Sequence, residues 1–130
     1  MKKILILTLL SFFGCKNDPI CTINENNAGK EIYDLDEVTC FIALKLNKKK
    51  SDLNLIRDAL IAEMNYMEKT RLTSDNQNPK NEPESNTELD INQMVEYALN
   101  EEKVKLSKDE LIEIYDTEIK YLMFIGVLEE

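Results

Sequence analysis

The chain is predicted to be all-α: two tandem helical hairpins packed as a small four-helix domain, with a disordered N-terminal tether and a flexible central linker. Three observations carry that expectation. Apolar residues recur at helical spacing in four stretches. Each half opens on a helix-capping pattern, Asp34 with Glu37 and Asp90 with Gln93, the acceptor three residues ahead of its partner. The two halves also align with each other across a segment that has no periodicity at all.

Residues 1–14 are read as a secretory signal peptide. Lys2 and Lys3 precede an apolar run from Ile4 to Phe13, and Gly14 stands as the small residue before the cut. That run is too short to span a bilayer as a helix. With Cys15 immediately after Gly14, the segment resembles the lipobox-type signal of bacterial lipoproteins, in which the Cys is acylated and becomes the first mature residue. Cys15-Lys16-Asn17-Asp18 is similar to the polar, acidic stretch behind the acylated Cys in surface or outer-membrane lipoproteins of the Bacteroidota. The resemblance implies lipidation at Cys15 and a cell-envelope location, on an outer membrane facing the periplasm or the cell surface. The residues alone also allow an ordinary secreted protein in which Cys15 is incidental. Two or three acyl chains would hold a protein on a membrane that a single chain would leave, at about 0.8 kcal/mol per buried methylene.

Residues 15–33 are expected to be a lipid-anchored tether. Apart from Cys15, an even pair of cysteines is left, Cys21 and Cys40, in a compartment that permits disulfides. A bridge would close a loop of about twenty residues, contributing roughly 3 kcal/mol in the chain-entropy account. It would cut the free reach of the tether from roughly 60 Å to roughly 17 Å. The alternative is two unpaired thiols, with Cys40 a small core residue.

The first hairpin is assigned to 34–72. Asp34 opens a helix with Leu35, Val38, Phe41 and Ile42 on one face, a polar turn spans Asn47 to Ser51, and a second helix buries Leu53, Ile56, Leu60, Met64 and Met67. Residues 73–88 hold Pro79 and Pro83 among Asn, Ser, Glu and Gln, and read as a solvated linker. The second hairpin, 89–130, repeats the plan. Asp90 opens Ile91, Met94, Tyr97 and Ala98; Ser107 with Glu110 caps a helix that buries Leu111, Ile114, Tyr115, Ile119 and Leu122; Gly126 stands where a left-handed residue ends it. Aligned on Asp34 and Asp90, Glu37 meets Gln93, Val38 meets Met94 and Phe41 meets Tyr97. After a one-residue slip in the turn, Leu60 meets Tyr115, Glu63 meets Glu118, Met64 meets Ile119, Tyr66 meets Tyr121 and Met67 meets Leu122. Chemistry is kept better than identity, as in an old duplication. One hairpin is too small to hold a core alone, so the two are expected to share one.

Composition narrows the function. Removing 1–14 takes Lys2 and Lys3 and leaves 14 basic against 25 acidic side chains, a charge of −11. A polyanion is a poor partner for nucleic acid or anionic lipid, so membrane contact must come from the acyl chains, and a charge-guided protein partner would be basic. With no His in the chain, zinc sites and His-dependent nucleophiles are excluded, and three glycines make no phosphate loop. No cofactor, metal or catalytic residue is assigned. The polar candidates are Glu63 with Tyr66 and Glu118 with Tyr121, each pair three apart on one helix face. They read either as buried, hydrogen-bonded carboxyls or as the acid–base and metal-binding groups of a helical-bundle enzyme. Met123, Phe124 and Ile125 carry the last apolar stripe past one face, and read either as a candidate partner surface or as a terminal helix tucked into the core. The expected function is a non-catalytic protein-binding module: an immunity-type protein that blocks a toxin, or an accessory subunit of an envelope or secretion complex.

Overall fold

A computed structural model describes residues 19–70 and 90–130. Residues 1–14, read as a signal peptide, lie outside the described residues, as do Cys15 and residues 73–88. Among those described there are four α-helices and no strand: α1 Leu35–Lys45, α2 Leu53–Lys69, α3 Ile91–Asn100 and α4 Lys108–Phe124. None is long and apolar enough to cross a membrane.

The helices start where the sequence places their caps. Asp34 and Asp90 are extended, and each side chain accepts from the two backbone N–H groups that follow at the N2 and N3 positions. Such a cap satisfies donors the helix itself leaves orphaned. Ser107 and Glu110 close a reciprocal capping box. In the other two pairs the return bond is absent, because the Glu37 and Gln93 side chains are taken by tyrosines of other helices. α1 ends on Asn47 in the left-handed region, with Lys48 N–H bonded to the Ala43 carbonyl. α4 ends the same way on Gly126, with Val127 N–H bonded to the Leu122 carbonyl.

Each hairpin packs on the other: α1 lies against α2 and α4, α3 lies against α2 and α4, and α2 and α4 touch across the diagonal. Val38, Ile42, Ile56, Leu60, Met94, Val95, Leu111 and Ile114 meet in one shared core. Tyr115 is buried among them and gives its hydroxyl to the Ala59 carbonyl of α2 at 3.0 Å. Both hairpins therefore close a single interior.

The arrangement has an internal two-fold relation. Tyr121 of α4 donates to Glu37 of α1 at 3.0 Å, and its counterpart Tyr66 of α2 donates to Gln93 of α3 at 3.1 Å. Phe41 and Tyr121 have ring centroids 5.5 Å apart, and so have their counterparts Tyr97 and Tyr66. Each bond crosses from one half to the other, which is the pattern expected when two copies of a hairpin pack as a symmetric pair would.

The tether expectation needs correcting over 19–33. These residues form a strap laid on the bundle: Ile20 and Ile23 pack against the core, Asn24 caps a single 3₁₀ turn at Glu25–Asn27, and Asn27 donates to Glu37 at 2.7 Å. Gly29 N–H bonds the Phe124 carbonyl at 3.0 Å and Glu31 N–H the Ile125 carbonyl at 2.7 Å, taking up two acceptors at the C-terminus of α4. A Cβ on Gly126 would sit 3.1 Å from Gly29 Cα, and Gly126 has φ +85, so only glycine allows the strap this close. Polar composition concealed the strap, since backbone hydrogen bonds and two isoleucines hold it.

Candidate functional site

Cys21 and Cys40 are joined by a disulfide with a Cα–Cα distance of 5.8 Å, which fastens the strap to the middle of α1. Six consecutive residues of α1, Val38 to Ala43, are buried, because α2, α4 and the strap cover the helix from several sides.

Glu63 and Glu118 occupy equivalent positions on α2 and α4, the pair of helices that meet across the diagonal. They are 5% and 6% exposed, and both line the same groove. Their expected pairing with the tyrosines three residues on does not occur. Each carboxyl points to the axis between the halves, whereas Tyr66 and Tyr121 swing sideways to the first turn of the neighbouring α3 or α1. Glu118 finds a different phenol: Tyr33 of the strap donates to its Oε1 at 2.7 Å. Burial, together with the neighbouring Glu118, pushes the Glu63 carboxyl up to about 10. Burial and the nearby carboxylates also raise the Tyr33 and Tyr115 hydroxyls. Tyr121 rises to about 12, mainly through burial, with the bonded Glu37 adding to it against a lowering contact from the Asp34 backbone. No buried side-chain polar atom among the described residues is left without a partner.

Above the carboxyl pair lies a groove of about 520 Å³. Met64 and Met67 of α2 line it together with their counterparts Ile119 and Leu122 of α4, with Ile91 and Met94 of α3, and with Tyr33 and Leu128. Met64 and Ile119, expected in the core, are 40% and 38% exposed instead. They lie one residue beyond the two glutamates, so the turn that aims the carboxyls at the axis leaves these side chains at the rim.

The last apolar stripe is mostly covered. Ile125 is fully buried and Phe124 stacks on Phe41 at 5.8 Å, their carbonyls bonded to the strap, while Met123 alone of the three is exposed. Of the two readings of this stripe, Phe124 and Ile125 follow the tucked-in one, and Met123 alone faces outward. Sequence reasoning missed Tyr33, counted within the tether, and Leu128. An aromatic directly before a helix N-cap was the available signal for Tyr33.

Among the described residues no three Asp, Glu or Cys side chains gather as a metal site would need. The arrangement places two buried acidic side chains in the lining of a largely apolar groove, with Tyr33 of the strap bonded to one of them. The chain matches no protein-family description, no curated protein and no solved structure.

Proposed function

We propose that the protein is a small acidic lipoprotein, anchored to the outer membrane through acyl chains on Cys15, that works as a non-catalytic protein-binding module. The observation that carries the binding part is the groove itself: apolar walls, an open mouth and a carboxyl floor that suit a side chain of a partner. A catalytic alternative built on Glu63, Glu118 and the tyrosines has less support. Tyr33 and Tyr115 are raised and cannot act as bases near neutrality, and the walls bring no further polar group to orient a substrate. The lipobox-type start and the net charge of −9 for the whole chain support an envelope module that draws in basic partners. An immunity role against a toxin and an accessory role in an envelope complex both fit that description.

Two measurements test it. Mass spectrometry of the mature N-terminus is expected to find acyl chains on Cys15, and Cys15→Ser to leave the protein unprocessed or released; an unmodified N-terminus at another residue would remove the anchor from the proposal. Crosslinking the intact lipidated protein in its native envelope is expected to trap one protein in a fixed ratio, and a partnerless protein would refute the module.

A further inference from the structure

The groove over Glu63 and Glu118 makes two chemical demands at once. Its walls are methionine, isoleucine and leucine, so its occupant must bring apolar surface. Its lining also brings two acidic side chains together, Glu63 and Glu118, the latter accepting from the Tyr33 hydroxyl at 2.7 Å. The two ion pairs found among the described residues, Arg57–Asp36 and Lys108–Glu96, lie on the surface and involve neither glutamate. Acidic side chains buried among apolar groups with no ion-pair partner are costly to ionise, and a cation that arrives with its own hydrocarbon stem relieves that cost.

We propose that the groove receives a lysine side chain carried on an apolar segment of a protein partner, its stem along Met64, Ile119 and Leu122 and its ammonium on the Glu63–Glu118 pair. Other occupants fit worse. A fatty acid or other anion meets like charge, and a neutral apolar ligand leaves the carboxylate unpaired. A divalent cation wants about six oxygen ligands, and the walls supply none. A guanidinium seeks two free parallel oxygens of one carboxylate, but Glu118 already spends its Oε1 on Tyr33, whereas an ammonium is a compact charge with donors that rotate. The volume exceeds a single lysine side chain several-fold, which leaves room for the flanking apolar residues of the same segment. The net charge of the chain steers a basic partner toward it.

The proposal rests on the module reading, and the test separates the two. The probe is the peptide acetyl-Leu-Leu-Lys-Leu-Leu-amide, compared with versions carrying norleucine or arginine in place of the lysine. Binding is followed on the purified full chain by NMR of the Met64 and Met67 methyl groups. The lysine peptide is expected to bind at least tenfold tighter than the norleucine peptide and more tightly than the arginine peptide. A double Glu63→Gln, Glu118→Gln variant is expected to bind the lysine and norleucine peptides alike. Met64→Lys, at an exposed position that leaves the core untouched, should weaken lysine-peptide binding at least tenfold whether or not the double variant folds. Equal binding of lysine and norleucine peptides, a preference for arginine, or shifts confined to methyls outside the groove would overturn the proposal. A protein that fails here yet still captures a partner in the envelope would keep the module and lose only the lysine site.

Discussion

Tyr121 hands its hydroxyl proton to Glu37, a hydrogen bond of 3.0 Å between the last helix and the first. The same bond, run in the opposite direction between halves, joins Tyr66 to Gln93. The two contacts differ in burial, for Tyr121 is fully enclosed while Tyr66 is half-buried. Removing the two hydroxyls should therefore be unequal: about 1–3 kcal/mol for Tyr121→Phe, which strands a charged acceptor, against about 0.5–1.5 kcal/mol for Tyr66→Phe. Urea unfolding of both variants measures this; a larger loss for Tyr66→Phe would contradict the hydrogen-bond assignment.

A core common to both hairpins makes their stabilities inseparable. Leu60→Ala and Ile114→Ala each open a cavity in it and should each cost about 2–5 kcal/mol. Either one should lower a single transition seen alike by far-UV circular dichroism and tyrosine fluorescence. Two separated transitions would mean that the hairpins fold independently.

Breaking the Cys21–Cys40 bridge should free the strap before it unfolds the bundle. The paired Ser variants are expected to lose about 2–4 kcal/mol. The amides of Gly29 and Glu31, bonded to the end of α4, should exchange faster than those of α2 by a larger factor than in the bridged protein. Unchanged protection of these two amides after reduction would show that the hydrogen bonds and isoleucines suffice.

Stability should depend on pH through Glu63. Its native carboxyl is raised from an ordinary 4.5 to about 10, so across that window the folded chain holds a proton that the unfolded chain has released. Folding is then most favoured below about pH 4.5 as far as this group is concerned, and its contribution falls as pH climbs, by up to roughly 1.4 kcal/mol per pH unit. Glu63→Gln, which keeps a hydrogen-bonding side chain, should flatten that decline between pH 5 and 9. A wild-type protein whose melting temperature rises over the same range, with the variant following it, would disprove the raised carboxyl.

Local chemistry made the helices legible from sequence: Asp34, Asp90 and Ser107 cap where expected, and Gly126 ends α4. The symmetric matching of Glu63 with Glu118 was visible too, because it is a register between two similar strings. Their contact was not. Two residues three apart on a helix share a face, and that reasoning pairs Glu63 with Tyr66; only the crossing of α2 over α4 turns the carboxyls toward each other. The strap escaped for a related reason, since Gly29 and Glu31 are held through backbone atoms, which leave no mark in a hydropathy pattern.

The disulfide also fixes how tension would travel through the molecule. A pull on the chain ahead of Cys21 enters the bundle directly at Cys40, in the middle of α1, through a covalent link. Residues 22–39, including the Gly29 and Glu31 hydrogen bonds and the cap at Asp34, lie on the slack side of that link and carry none of the load. Tugging at the N-terminus would thus strain the best-buried helix of the fold rather than peel its weakest edge, and Tyr33 would keep its place over the groove while the chain is under tension.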